Sequence, residues 1–184
     1  MKPLLMVPVV PPPITLAAVL TIDPTQGLRR SLRTNFGLST RAINEHLDPD
    51  MDLIYLSETT LPGSLPCLTV LDQHDVTVVT LRSGYLECLL SKNKEGRRGV
   101  SSLANLATGN CFLSANNRKV SIASFTNHEL EPTRIAMDVP HWPNLLDYLR
   151  TDSFTLEISG INRRRLTKPL SIQAVLEFAV ETRA

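Results

Sequence analysis

The chain has 184 residues, of which 42% are hydrophobic and 20% are charged, and its formal net charge is +1. This length and composition exclude a disordered chain and fit one domain that buries a proper core. Three widely spaced cysteines, Cys67, Cys88 and Cys111, form no metal-ligand pattern, which favours free thiols in a reducing compartment.

The first thirteen residues are apolar and rich in proline. Because proline interrupts helices, they predict an extended arm rather than a signal peptide, followed by one globular domain over residues 14–184. The apolar side chains of the arm have nothing local to bury against, so we expect them to dock on a neighbouring subunit. The residues with this expected role are Leu4, Leu5, Met6, Val7, Pro8, Val9, Val10, Pro11, Pro12 and Pro13.

Ile14–Ile22 is the first predicted strand, because its alternate residues are apolar and share one face. Asp23-Pro24 ends it, and a short helix is predicted next, from Ser39 to Asp48-Pro49. A short buried strand is predicted at Leu53–Leu56.

The middle of the chain predicts three strands, Cys67–Leu71, Val76–Leu81 and Tyr85–Leu90. Turns are predicted between them at Asp72–Asp75 and Ser83-Gly84. The hydrophobic phase slips within the second of these strands, which predicts a bulge or burial on both faces.

A short helix capped by Ser101 or Ser102 is predicted to end at Gly109. Val120–Phe125 is a further predicted strand, and Asn144–Leu149 predicts one turn of helix behind a proline.

Two strands are predicted near the end of the chain. Phe154, Leu156 and Ile158 share a face in the first, and Leu170–Val180 alternates most clearly of all. The elements together predict a β-rich α+β domain with one twisted, mainly antiparallel sheet and a few short helices.

Positive charge is concentrated in four short clusters, which hold 13 of the 19 basic residues and one acid, Glu95. Such clusters are either solvated loops or contacts to phosphate, on nucleic acid or anionic lipid. Aromatic residues are not interleaved with them, so charge-based binding is expected rather than base stacking. The expected contact residues are Arg29, Arg30, Arg33, Lys92, Lys94, Arg97, Arg98, Arg118, Lys119, Arg163, Arg164, Arg165 and Lys168.

The sequence carries no motif for catalysis, a metal or a cofactor. Asp48–Asp52 begins like a calcium loop, but Leu53 stands where glycine is needed and Thr59 where glutamate is needed. Asp72-Gln73-His74-Asp75 is better interpreted as a turn than as a catalytic group. We therefore expect a non-enzymatic protein.

The order of elements resembles the matrix proteins of rhabdoviruses, over scattered pieces of about half of the chain. The segments that carry the resemblance are Pro8–Pro13, Ile14–Ile22, Ser39–Ala42, Asp50–Ile54, Met137–Pro140 and Phe154–Ile161. The resemblance implies a structural protein that self-associates, condenses the viral nucleoprotein–RNA complex and bridges it to the anionic membrane during virion assembly and budding. It also implies contact with the viral glycoprotein tail. The expected location is the virion and the host cytoplasm or nucleus, at membranes but without a transmembrane segment.

Two alternatives remain open. An icosahedral jelly-roll coat protein that packages RNA fits the length and the number of strands, although the N-terminal arm is nearly uncharged. A cellular lipid- or ligand-binding β-domain without assembly is the other.

Overall fold

The structure is a computed structural model. It describes residues 11–23, 53–73, 75–89, 91–92, 98–99, 103–129, 132–139, 143–164, 166 and 168–183. The helix predicted at Ser39 lies outside these ranges.

Strands dominate the described part of the chain. The strands and helices are β1 (Ile14–Ile22), β2 (Ile54–Pro62), α1 (Val70–Gln73), β3 (Val76–Cys88), β4 (Ser91–Lys92), β5 (Arg98–Gly99), β6 (Leu106–Ala115), β7 (Arg118–Thr126), β8 (Arg134–Ala136), α2 (Leu146–Leu149), β9 (Ser153–Asn162) and β10 (Leu170–Thr182). Short 3₁₀ turns lie at Pro66–Leu68 and Leu103–Asn105.

Eight strands form two antiparallel sheets that pack on one common core. Sheet A has the order β1-β10-β3-β8 and sheet B the order β2-β9-β6-β7, while β4 and β5 form a separate hairpin. Within the eight, the first strand pairs with the last, the second with the seventh, the third with the sixth and the fourth with the fifth. This pairing is a long hairpin rolled into a sandwich, which is the jelly-roll topology.

The prediction of a β-rich, mainly antiparallel fold with few short helices is confirmed, but the single twisted sheet is wrong. Alternation of period two fixes which face of a strand is buried, yet it does not specify the sheet to which the strand belongs. The pairing of distant strands divides them between two sheets, so that each sheet covers the apolar face of the other.

The first predicted strand and the two at the end of the chain are confirmed. Every second residue of β1 is buried, from Ile14 to Ile22, and the same alternation continues along β9 and β10. Phe154 and Phe178 from these strands are at most 1% exposed. Each such side chain contributes about 1.5–3 kcal/mol to stability by burial.

The second and third predicted strands of the middle region merge into one. β3 runs unbroken from Val76 to Cys88, without the turn predicted at Ser83-Gly84. The predicted irregularity is confirmed, since the register with β10 shifts beside Thr77, between Val76 and Val78. The extra residue lets both Val76 and Val79 reach the core.

Several predicted elements are wrong in type or extent. Cys67–Leu71 is not a strand but the end of a 3₁₀ turn followed by α1, and α1 includes Asp72, where a turn was predicted. The predicted 101–109 helix is a 3₁₀ turn followed by β6. The predicted strand Leu53–Leu56 extends to Pro62 and is buried only at alternate residues.

A row of two glycines and two aromatic rings crosses sheet B. Gly160 in β9 pairs with Gly109 in β6, and their outer partners in the same row are Tyr55 in β2 and Phe125 in β7. Tyr55 Oη reaches over the glycines and donates a hydrogen bond to Thr108 O at 3.1 Å. Because glycine has no side chain, the two glycines leave space that the rings of Tyr55 and Phe125 fill.

Cys111 is a buried thiol in β6. Burial, and secondarily the charge of Glu157, raises the pKa of Cys111 to about 12, and burial likewise raises the pKa of Tyr55. The pKa of this thiol is thus higher in the folded chain than its ordinary value near 9 in the unfolded chain. Its contribution to stability is fully present below pH 9 and is lost as the pH rises toward the pKa of the folded chain.

We therefore expect the free energy of unfolding to fall as pH rises above about 9, by about 1.4 kcal/mol per pH unit for the thiol. Urea unfolding at pH 8 and pH 10 measures this change. The Cys111→Val variant removes the contribution of the thiol and is expected to show a shallower fall. An equal pH dependence in the variant would contradict the assignment.

Candidate nucleic-acid interface

The antiparallel register brings four chain connections to one end of the sandwich. In sheet A the ends of β1 and β3 lie beside the starts of β10 and β8. In sheet B the starts of β2 and β6 lie beside the ends of β9 and β7. We call this end the loop end, and its strand termini are Ile22, Ile54, Cys88, Leu106, Thr126, Arg134, Asn162 and Leu170.

Hydrogen bonds between the sheets show that both of them end at the same place. Ser57 Oγ in β2 donates to Thr21 O in β1 at 2.7 Å. Leu103 N, before β6, donates to Pro132 O, before β8, at 3.1 Å. The chain leaves and re-enters the sandwich at the loop end through the connections 23–53, 89–105, 127–133 and 163–169.

Two of these connections concentrate the positive charge. Connection 163–169 contains four basic residues and no acid, and connection 89–105 contains four basic residues and one acid. Connection 23–53 has four basic residues but five acidic ones, so the positive charge of its basic cluster is neutralised by acids of the same segment. Sequence spacing alone does not indicate that the two most basic connections share an end.

Arg163 is the structural anchor of the loop end. Its backbone N donates to Asn105 O at 2.6 Å, and its Nη1 donates to Glu129 O at 2.9 Å. Its Nη2 donates to Asn127 O. Arg163 therefore joins three of the four connections, and in the part of the chain that the structure describes its guanidinium is held by backbone carbonyls and by no carboxylate.

Arg164 and Lys168 follow as exposed cations. Leu166 between them is 7% exposed and fixes the middle of the connection on the core. Among the described residues neither cation has a carboxylate partner, so both are available to an anion. Arg165 lies outside the described residues.

The basic cluster from Lys92 to Arg98 begins and ends in a β-hairpin. Lys92 in β4 pairs with Arg98 in β5. Lys94 and Arg97, between these strands, lie outside the described residues. The hairpin belongs to connection 89–105 and therefore starts from the loop end.

The other predicted contact residues divide into two groups. Arg29, Arg30 and Arg33 lie outside the described residues. Arg118 and Lys119 are described, but they begin β7 at the opposite end of the sandwich.

Arg118 and Lys119 are also engaged within the chain. Lys119 Nζ lies 2.6 Å from Glu157 Oε1 and 4.5 Å from the centre of the Phe112 ring. Arg118 lies 3.7 Å from Asp147 and over the Tyr148 ring. The structure does not bring these two residues together with the loop-end cations.

The N-terminal arm is described only at its last three residues. Pro11 is buried, whereas Pro12 and Pro13 are exposed. Leu4, Leu5, Met6, Val7, Pro8, Val9 and Val10 lie outside the described residues.

An exposed apolar pair at the loop end was missed by the sequence analysis. Ile54 and Ile161 are register partners on the outer face of sheet B and are 38% and 49% exposed. Both lie in strands whose side chains alternate between the core and the outer face. An isoleucine at an outward position of such a strand is a sequence signal for an exposed apolar site. They lie beside the start of the basic connection 163–169.

The chain matches no protein-family model and no curated protein. Within the part of the chain that the structure describes, no helix is long and apolar enough to cross a membrane.

Proposed function

We propose that this protein is a non-enzymatic virion structural protein of the coat type that binds the phosphate backbone of RNA through its loop end. The observation that carries the proposal is the convergence of the two most basic connections at one end of a rigid sandwich. Clustered cations neutralise neighbouring phosphates and release counterions, which gives strong and salt-sensitive binding.

The accessible cations favour recognition by charge. Arg164 and Lys168 are exposed, and Arg163 fixes the connection that carries them. Among the described residues of the four connections no Phe, Tyr or Trp is present, and the exposed imidazole of His128 is the one aromatic ring, so these residues offer no stacking platform of several rings. Binding is therefore expected to be independent of RNA sequence.

The topology supports a coat-type function by analogy. Jelly rolls recur in viral capsid proteins, although lectins and cupins share them. The two-sheet sandwich departs from the single twisted sheet that we expected for a matrix protein, and for this reason we place the coat type first.

RNA binding at several salt concentrations tests the proposal. We expect the full chain to bind a single-stranded oligouridylate with an affinity that falls steeply between about 50 and 200 mM salt. The double variant Arg164→Gln/Lys168→Gln is expected to lower the slope of log affinity against log salt by about 1.4, at about 0.7 per phosphate contact. Fluorescence anisotropy measures both values.

The matched control removes two arginines away from the loop end. Arg82 and Arg118 are 69% and 55% exposed, and each makes a surface ion pair that contributes little to stability. The control Arg82→Gln/Arg118→Gln is expected to keep the salt dependence of the wild type. An equal loss in both double variants would contradict binding at the loop end.

A matrix-type function on an anionic membrane is the second candidate, favoured by the exposed pair Ile54 and Ile161. Aliphatic side chains next to cations insert at a bilayer surface while the cations contact lipid headgroups. Vesicles with and without an anionic phospholipid separate the two candidates. If anionic vesicles bind, RNA does not, and Ile54→Ser/Ile161→Ser abolishes the binding, the matrix-type function replaces the coat-type one.

A further inference from the structure

Within the described residues, β1 is an edge strand of sheet A that pairs on one side only, with β10. We propose that β1 is a self-association strand, which pairs antiparallel with β1 of a second copy about a two-fold axis at Ala18. The two copies of sheet A then form one continuous sheet of eight strands.

The free backbone groups of β1 belong to alternate residues. In an antiparallel ladder, the N–H and C=O groups of successive residues point to opposite edges of the strand. The backbone O of Thr21 accepts a hydrogen bond from Ser57 in β2, so the backbone N–H and C=O groups of Thr21 point away from β10. By alternation, the outward groups are those of Thr15, Ala17, Val19 and Thr21.

Most of this edge is left unpaired. Within the described residues, the bond from Ser57 to Thr21 is the only hydrogen bond that its backbone groups make. The side chains of the same alternate residues are all exposed, and Val19 is 51% exposed. An incoming strand therefore meets unsatisfied donors and acceptors along β1.

β1 also lacks the features that protect edge strands from pairing. Such strands usually carry lysine, proline or a bulge, or are very short. β1 has nine residues without charge, proline or register shift. β8 has three residues, and β7 begins with the charged pair Arg118 and Lys119.

The sequence of β1 defines one register for a second copy. With Ala18 opposite Ala18, the outward residue Ala17 lies opposite Val19 of the partner copy, and Thr15 lies opposite Thr21. In this register the outward backbone groups of one copy lie opposite the outward backbone groups of the other, and all nine residues of β1 take part. Pro13, directly before β1, follows the same alternation and lacks an outward N–H group, so the ladder ends there.

The two-fold axis makes the interface self-complementary, because each copy contributes the same strand in the opposite direction. This interface uses neither the loop end nor RNA. Its success or failure is therefore distinguishable from that of the proposed function.

Sedimentation velocity of the full chain without RNA tests the pairing. We expect a concentration-dependent dimer, and we expect Val19→Lys to weaken it at least about tenfold, because lysine on an edge strand opposes pairing. The matched control is Gln173→Lys, since Gln173 is the register partner of Val19 one strand further in. Dimerisation of this variant is expected to stay near that of the wild type.

Hydrogen exchange of single amides gives a second readout. The Ala17 and Val19 amides are expected to gain protection as protein concentration rises, in step with dimer formation. Three results would overturn the proposal: a monomer at every concentration, equal loss of dimer in both lysine variants, or protection of these amides in the monomer.

Discussion

We expect Gly160→Ala to lower the free energy of unfolding by about 3 kcal/mol or more, the upper end of what overpacking a core costs. A Cβ atom on Gly160 would lie 2.0 Å from Thr108 O and 2.6 Å from Gly109 Cα. Both atoms belong to the backbone of β6, which is held between β9 and β7 in sheet B. Relief of the clash therefore requires displacement of the ladder itself.

Gly84→Ala is the matched control in sheet A. A Cβ atom there would meet side-chain atoms, Leu176 Cδ2 at 2.9 Å and Met137 Sδ at 3.0 Å, which can rotate away. Urea denaturation of both variants measures the difference. Equal or greater destabilisation by Gly84→Ala would contradict the role assigned to the glycine row in sheet B.

Strands whose apolar residues strictly alternate could be predicted from the sequence. Ile14–Ile22 and Leu170–Val180 are examples, because every second residue is apolar, whereas the residues between them are exposed in the first strand and at least partly exposed in the second. The division into two sheets could not be predicted, because β1 pairs with β10 across most of the chain and no local pattern encodes that contact.

β6 shows why local signals failed elsewhere. The serines before Leu103 and the glycine at 109 suggested a capped helix, but Gly109 lies in the strand to make room for aromatic rings. A usable signal followed at Asn116-Asn117, where both residues have positive φ angles of 51° and 60°. Two such asparagines favour the tight turn of a β-hairpin, here β6 to β7.

The residue types of the candidate site could be predicted, but their arrangement could not. Clustering of basic residues in the sequence singled out Arg163, Arg164 and Lys168. It singled out Arg118 and Lys119 in the same way and did not distinguish the two groups. The topology separates the two groups, placing one at the loop end and the other opposite. Carboxylates distant in sequence, such as Glu157, then engage the second group.

Asn127 also fixes the geometry of the loop end, and we expect Asn127→Leu to lower the free energy of unfolding by about 3 kcal/mol or more. The side chain is buried, and its Nδ2 donates to Leu106 O at 2.9 Å and to Leu103 O at 3.3 Å. Its Oδ1 accepts from Glu129 N at 2.9 Å. Leucine has a similar size but leaves all three backbone groups without this partner.

Asn162 provides the matched control, because it is also a buried asparagine at the loop end. Its Oδ1 has no hydrogen-bond partner among the described residues and is already desolvated. Asn162→Leu is therefore expected to leave stability unchanged or to raise it by up to about 1 kcal/mol. Urea denaturation of both variants compares them, and hydrogen exchange of the Glu129 amide, which donates to Asn127 Oδ1, is expected to accelerate only in Asn127→Leu. Similar losses in both variants would mean that burial of an asparagine, and not its hydrogen bonds, holds the connections together.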